Sequence, residues 1–146
     1  MKKSKRFIAL CKKYGVDPEK VPEVLTFESA CKAVGVSPKK LPGVSHLPVR
    51  HRKRLVADYK LTIVAEALRG GKKANYNDSG EFKYFPVFRV KASEKKPSGF
   101  GLSCGDYVFW YSDSFVGVRL CFPTWDQAKF FGMHFLKLHT DHHLYT

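Results

Sequence analysis

The chain predicts an α+β domain in which a helical N-terminal segment and a long central helix precede a small antiparallel sheet of three to four strands and a C-terminal covering helix. Three observations predict it. Apolar residues recur at helical spacing from Phe7 to Arg69, punctuated by Gly and Pro. From Tyr84 to Phe122 the residues turn aromatic and β-branched. Helical spacing returns after Thr124 and runs to about His139.

The helical segment is written twice. Phe7–Val24 (FIALCKKYGVDPEKVPEV) aligns with Phe27–Val44 (FESACKAVGVSPKKLPGV), identical at 9 of 18 positions. Each copy reads as a helix, a Gly stop (Gly15, Gly35), a Pro start (Asp17-Pro18, Ser37-Pro38) and a short second helix ended by Pro22 or Pro42. Such a unit is too short to fold alone and must pack on a neighbour. The longest helix follows, Pro48 to Arg69, stopped at Gly70-Gly71. Leu55, Tyr59, Ile63 and Ala67, flanked by Val56, Lys60 and Val64, trace its apolar stripe, so its second half belongs to the core.

Strands are expected at Tyr84–Lys91, Gly99–Ser103, Asp106–Tyr111 and Phe115–Phe122. Pro86 makes the first an edge or irregular strand, and Ser112-Asp113-Ser114 reads as a hairpin turn. The last helix opens on a capping box, Thr124 to Gln127, with Phe130, Phe131, His134, Phe135 and Leu138 on its apolar side. The expected organisation is a basic helical extension over 1–26, the first repeat copy, and one α+β domain over 27–146.

Of 146 residues, 44% are hydrophobic and 14% aromatic, which excludes wholesale disorder. Net charge is +13 and uneven: residues 1–60 hold 15 Lys/Arg against 5 Asp/Glu, and residues 61–146 hold 11 against 8. The basic half points to a polyanion partner or a solvated surface. Cysteines 11, 31, 104 and 121 contain no CxxC pair, so they read as small hydrophobes in a reducing compartment. The apolar run after the basic start is too short for a signal peptide, and no run approaches a bilayer span. A cytoplasmic location in a bacterial host, away from membranes, is expected.

Three motifs carry possible chemistry. Gly101-Leu102-Ser103-Cys104-Gly105 matches G-x-S-x-G, but a nucleophile elbow needs a helix after the Ser, and here a strand follows. The segment reads as a turn or bulge between strands. His134, His139, His142 and His143, with Asp141, form the only cluster with metal-ligand chemistry; His139 and His143 share a helix face, yet a third ligand must come from elsewhere. Neither metal nor cofactor is assigned. Tyr84, Phe85 and Phe88 with Tyr107, Phe109, Trp110 and Tyr111 either pack inward or, beside Arg89, Lys91 and Arg119, form a base-stacking platform; packing is the reading preferred.

The start of the last helix, Phe122-Pro123-Thr124-Trp125-Asp126-Gln127-Ala128, closing a small sheet, resembles the sheet-plus-helix DNA-binding modules of integrase arm type in layout and in two or three residues. A wider resemblance covers about residues 27–140. Phe27–Val44, Ala57–Leu61 with Ile63–Leu68, Trp110–Ser112 with Val116–Phe122, and Ala128–Phe135 are similar in order and spacing to a family of small uncharacterised proteins encoded by gut Bacteroidales and their phages and prophages. The resemblance implies an origin and brings no activity with it. The first repeat copy, the Arg50–Arg54 run and the histidine tail depart from that pattern.

The expected function is therefore a non-enzymatic phage or mobile-element accessory protein binding nucleic acid. Lys2, Lys3, Lys5, Arg6, Arg50, Arg52, Lys53 and Arg54 are the expected phosphate contacts, flanked by Lys72, Lys73, Lys95 and Lys96. A protein-interaction or virion-associated module, with a phage or host protein as partner, is the alternative, as is an inhibitor of a host defence factor that captures a protein or a nucleotide signal. Enzyme activity is not expected, since no acid/base pair or phosphate loop is written.

Overall fold

A computed structural model describes residues 2–73, 75–78, 80–92, 94–95, 100–110 and 118–144, without the side chains of 100, 105–108, 110 and 118. Helix α1 (Lys5–Tyr14) starts where the Ser4 hydroxyl accepts from the Phe7 amide and ends at Gly15, whose φ of 65° is a left-handed conformation that glycine adopts without a Cβ penalty. Asp17 then caps a single 3₁₀ turn, Pro18–Lys20. Helix α2 (Phe27–Val34) repeats the pattern, with a Thr26/Ser29 capping box and Gly35 at φ 73°.

The short second helix expected in each copy is reduced to a single turn. In the first copy it is the 3₁₀ turn, and in the second a turn closed by the Lys40 amide on the Ser37 carbonyl. Pro22 and Pro42 follow too closely for a helical turn to propagate.

The copies differ in depth. Phe7, Cys11, Val16, Val21 and Val24 are buried in one core with Phe122, Phe130 and Phe131, whereas Val36 and Leu41 of the second copy are exposed. Helix α4 (Trp125–His134) lies over the first copy, its Phe130 ring 5.5 Å from Phe7 and 5.9 Å from Tyr14. The second copy rests on the long helix α3 (Val49–Leu68) through Ala30 and Cys31. One continuous core thus crosses residue 26.

Ala57, Leu61, Val64 and Leu68 form the buried line of α3, with Ile63, Ala65 and Ala67 also inside. The stripe lies slightly around the helix from that expected: Leu55 is exposed and Tyr59 half-buried. Helix α3 is contacted by α2, the 3₁₀ turn Val118–Leu120 and the C-terminal helices, and its last turns bury Ile63, Val64, Ala65, Ala67 and Leu68, so spacing alone does not mark their inward face.

The sheet holds two antiparallel strands among the described residues, β1 (Lys83–Ala92) and β2 (Phe100–Trp110), fewer than the three to four expected. Gly99–Ser103 and Asp106–Tyr111 were expected as separate strands; their described residues lie in β2, bulged where Val87 faces Asp106 and Phe88 faces Cys104, leaving Gly105 unpaired. G-x-S-x-G therefore sits inside a strand. The fourth expected strand reduces, where described, to the 3₁₀ turn and one bridge, Tyr84 to Phe122, with N···O distances of 2.9 and 2.8 Å. The reason lies in Pro86. Two residues after Tyr84, it faces the Phe122 side of β1 and has no N–H to extend that pairing. Ser112-Asp113-Ser114 lies outside the described residues.

The expected single C-terminal helix is two, α4 (Trp125–His134) and α5 (Leu136–His143), broken at Phe135 (φ −100°, ψ 25°). Buried Phe135 is the pivot that lets α4 cover α1 and the sheet while α5 turns onto α3. Thr124 accepts from the Gln127 amide as expected, but the Gln127 side chain donates to the Lys20 carbonyl (3.2 Å) instead of closing the box. No described helix is long and apolar enough to cross a membrane.

Candidate functional site

Helix α3 begins without a side-chain cap and without an acid in its first turn. Its positive macrodipole end therefore carries the run Arg50-His51-Arg52-Lys53-Arg54, an arrangement that an external anion stabilises. Two of the five are engaged inside the protein. Arg52 donates to the carbonyls of Leu47 (2.8 Å) and Ser45 (2.6 Å), pinning the turn before the helix, and Lys53 pairs with Asp141 at 3.1 Å. Arg50 and Arg54 are exposed and make no hydrogen bond or ion pair among the described residues.

The end of α5 faces this run. Arg50, Lys53, Arg54, His142 and His143 line a cavity of about 310 Å³, and Asp141 at its edge is shared by Lys53 and Lys137. A second chamber of about 270 Å³ shares His142 and His143 and is walled by Pro86, Phe88, Leu120 and Phe131, with Asp58 and His139 as further polar groups. His139 is 2% exposed, and neither ring nitrogen makes a well-formed hydrogen bond, the Phe131 backbone being its one weak polar neighbour. Its ring lies 4.4 Å from Phe88 and 4.6 Å from Phe131, and parallel to His143 at 6.0 Å.

Burial pushes the His139 imidazole down to about 3; His143 and His142 add to the shift, and the Phe131 backbone opposes it. His142 is lowered by burial and by Arg54 against the pull of Asp58, 3.7 Å away. His143 is lowered by burial, His142 and Arg54. The imidazoles are thus held neutral beside fixed cations. His139 and His143 do share a face, but no group of three or more His, Cys, Asp or Glu among the described residues is arranged to hold a metal ion.

The remaining sequence-predicted residues are dispersed. Lys2, Lys5 and Arg6 are exposed at the start of α1. Lys3 turns inward, donating to the carbonyls of Pro18 and Val21 (3.0 Å to the latter) and passing over the Phe7 ring. Lys72 and Lys73 are exposed beyond the far end of α3, about 30 Å from Arg50 by helix rise. Lys95 is exposed near the end of β1, and Lys96 lies outside the described residues. The structure brings together Arg50, Lys53 and Arg54, and adds His139, His142, His143 and Phe88, which sequence reasoning had not assigned to an anion site.

Of the aromatic set, Phe85 is buried, Phe88 packs on the histidines, and Phe109 is exposed edge-to-face with Phe82 at 4.8 Å. Arg89 and Lys91 are exposed on the outer part of β1. Lys83 is buried, its ammonium fixed by the carbonyls of Asp78 (2.7 Å) and Glu81 (2.6 Å), which makes it a structural residue. Cys11, Cys31 and Cys121 are buried and Cys104 half-buried; burial raises the Cys11 and Cys31 thiols. No protein-family model, curated protein or solved structure matches the chain.

Proposed function

We propose that this is a non-enzymatic accessory protein that binds nucleic acid through the basic start of α3, and that it belongs to a phage or mobile element. The observation carrying the reading is the exposed Arg50/Arg54 pair at the positive end of α3, with Lys53 and neutral histidines lining the adjoining hollow. Guanidinium groups contact phosphate in a planar, bidentate fashion and need no further chemistry to do so. The resemblance over residues 27–140 supports the origin.

Fluorescence anisotropy with labelled single- and double-stranded oligonucleotides across a salt series tests it. Affinity falls steeply with salt, and R50Q/R54Q reduces the slope of log K against log salt by about 2, one unit per lost phosphate contact. Salt-independent binding, or a double variant that behaves as the parent, refutes it. The exposed Phe82, Phe109 and Val90 favour a second reading, a protein-interaction module on the sheet. A partner that survives nuclease treatment and is lost in F109A supports that one.

A further inference from the structure

We infer that the two adjoining cavities between α3 and α5 bind one nucleoside phosphate, its phosphate at Arg50 and Arg54 and its base in the Phe88/His139 chamber. The inference rests on the reading above only for the polymer as a source, since a free nucleotide and the phosphorylated end of a strand present the same group.

The two spaces share His142 and His143, and together fall within the range of about 300–1,000 Å³ usual for small-ligand sites. Their chemistry differs as the two halves of a nucleotide differ. The outer space has three cationic side chains, and its one acid, Asp141, is already paired with Lys53 and Lys137. The inner space has aromatic and aliphatic walls that match the faces of a base. Its polar groups are few: His139, Asp58 and the two shared histidines.

His139 is the second, independent observation. Buried polar atoms are nearly always paired, yet this enclosed imidazole makes no well-formed hydrogen bond, only a weak approach to the Phe131 backbone, and it borders open space. Neutral imidazole offers one donor and one acceptor, and a base edge offers acceptors and donors in return. Asp58 can accept from an exocyclic amino group, as can the unprotonated nitrogen of His142 or His143. A plain anion would leave the chamber and His139 unsatisfied. A neutral heterocycle would leave Arg50 and Arg54 unpaired.

Titration calorimetry of the full chain with adenosine and uridine monophosphates, the free nucleosides and inorganic phosphate tests this, alongside anisotropy with 5′-phosphorylated and 5′-hydroxyl oligonucleotides. A monophosphate should bind about 10–100-fold more tightly than either its nucleoside or phosphate, and R50Q/R54Q should abolish that margin. The His139 ring ¹⁵N resonances should shift with the monophosphate and not with phosphate, a readout that needs no variant. Phosphate binding as well as the monophosphate, or unmoved His139 resonances, overturns the inference. Strands that bind while monophosphates do not overturn it and leave the polyanion reading standing. Monophosphates that bind while strands do not support it and overturn the polymer reading.

Discussion

Lowering the pH from 7 to 5 should weaken the fold by about 2 kcal/mol through His139 alone, and His139→Phe should remove that part of the loss. In the folded protein the imidazole titrates at about 3, because burial, with His143 and His142 adding, disfavours its charged form. In the unfolded chain it titrates near 6.5. The folded pKa is the depressed one, so the unfolded state binds the extra proton, and stability present above 6.5 is lost as pH falls toward 3. At 1.36 kcal/mol per unit the full loss is about 5 kcal/mol, of which about 2 falls between pH 7 and 5. Phe is the informative replacement because the ring stays against Phe88 and Phe131 with the chamber beside it to absorb added volume. His142 and His143, also lowered, leave the variant a residual slope of the same sign. Glu23 and Glu28, whose carboxyls are held low by hydrogen bonds, act only below the window. Urea unfolding followed by circular dichroism at both pH values measures the difference. A parent chain equally stable at pH 7 and 5, or a variant as pH-sensitive as the parent, refutes the argument.

Phe7→Ala should cost about 3–5 kcal/mol in the same urea assay, because a fully buried ring packed against Phe130 is removed and a cavity is left. Deleting residues 1–26 should abolish cooperative unfolding, since Cys11, Val16, Val21 and Val24 leave the same core; a deletion that still melts cooperatively contradicts the continuous core. Gly132→Ala, which in an ordinary helix adds about 1 kcal/mol, should instead lower the melting temperature, its new Cβ standing 2.7 Å from both Cys104 Sγ and Pro86 Cβ. A higher melting temperature would show that α4 can back away from the sheet.

Local signals were legible in the chain and non-local ones were not. Gly15 and Gly35 stop helices because a left-handed residue is a local requirement, and the expected Pro48–Arg69 helix differs from Val49–Leu68 by one residue at each end. The bulge at Gly105, the reduction of the last expected strand, where described, to one bridge and the break at Phe135 depend on what packs opposite. Binary pattern does not encode that. The same division holds at the site. The basic run of α3 is plain from composition, but only the fold reveals that Arg52 and Lys53 turn to partners within the protein, whereas Arg50 and Arg54 do not. The chamber was illegible because Phe88 and His139 meet only through tertiary packing.

The unequal copies also furnish an internal control. Val16 and Val36 each donate at 3.0 Å to the carbonyl of a cysteine five residues earlier, each directly after a left-handed glycine, yet Val16 is 6% exposed and Val36 36%. The two amides match in residue type, bond length and preceding neighbour, and differ in depth. The ratio of their hydrogen-exchange rates reads out what depth adds to a hydrogen bond's protection within a single molecule, with temperature, solvent and global stability held common.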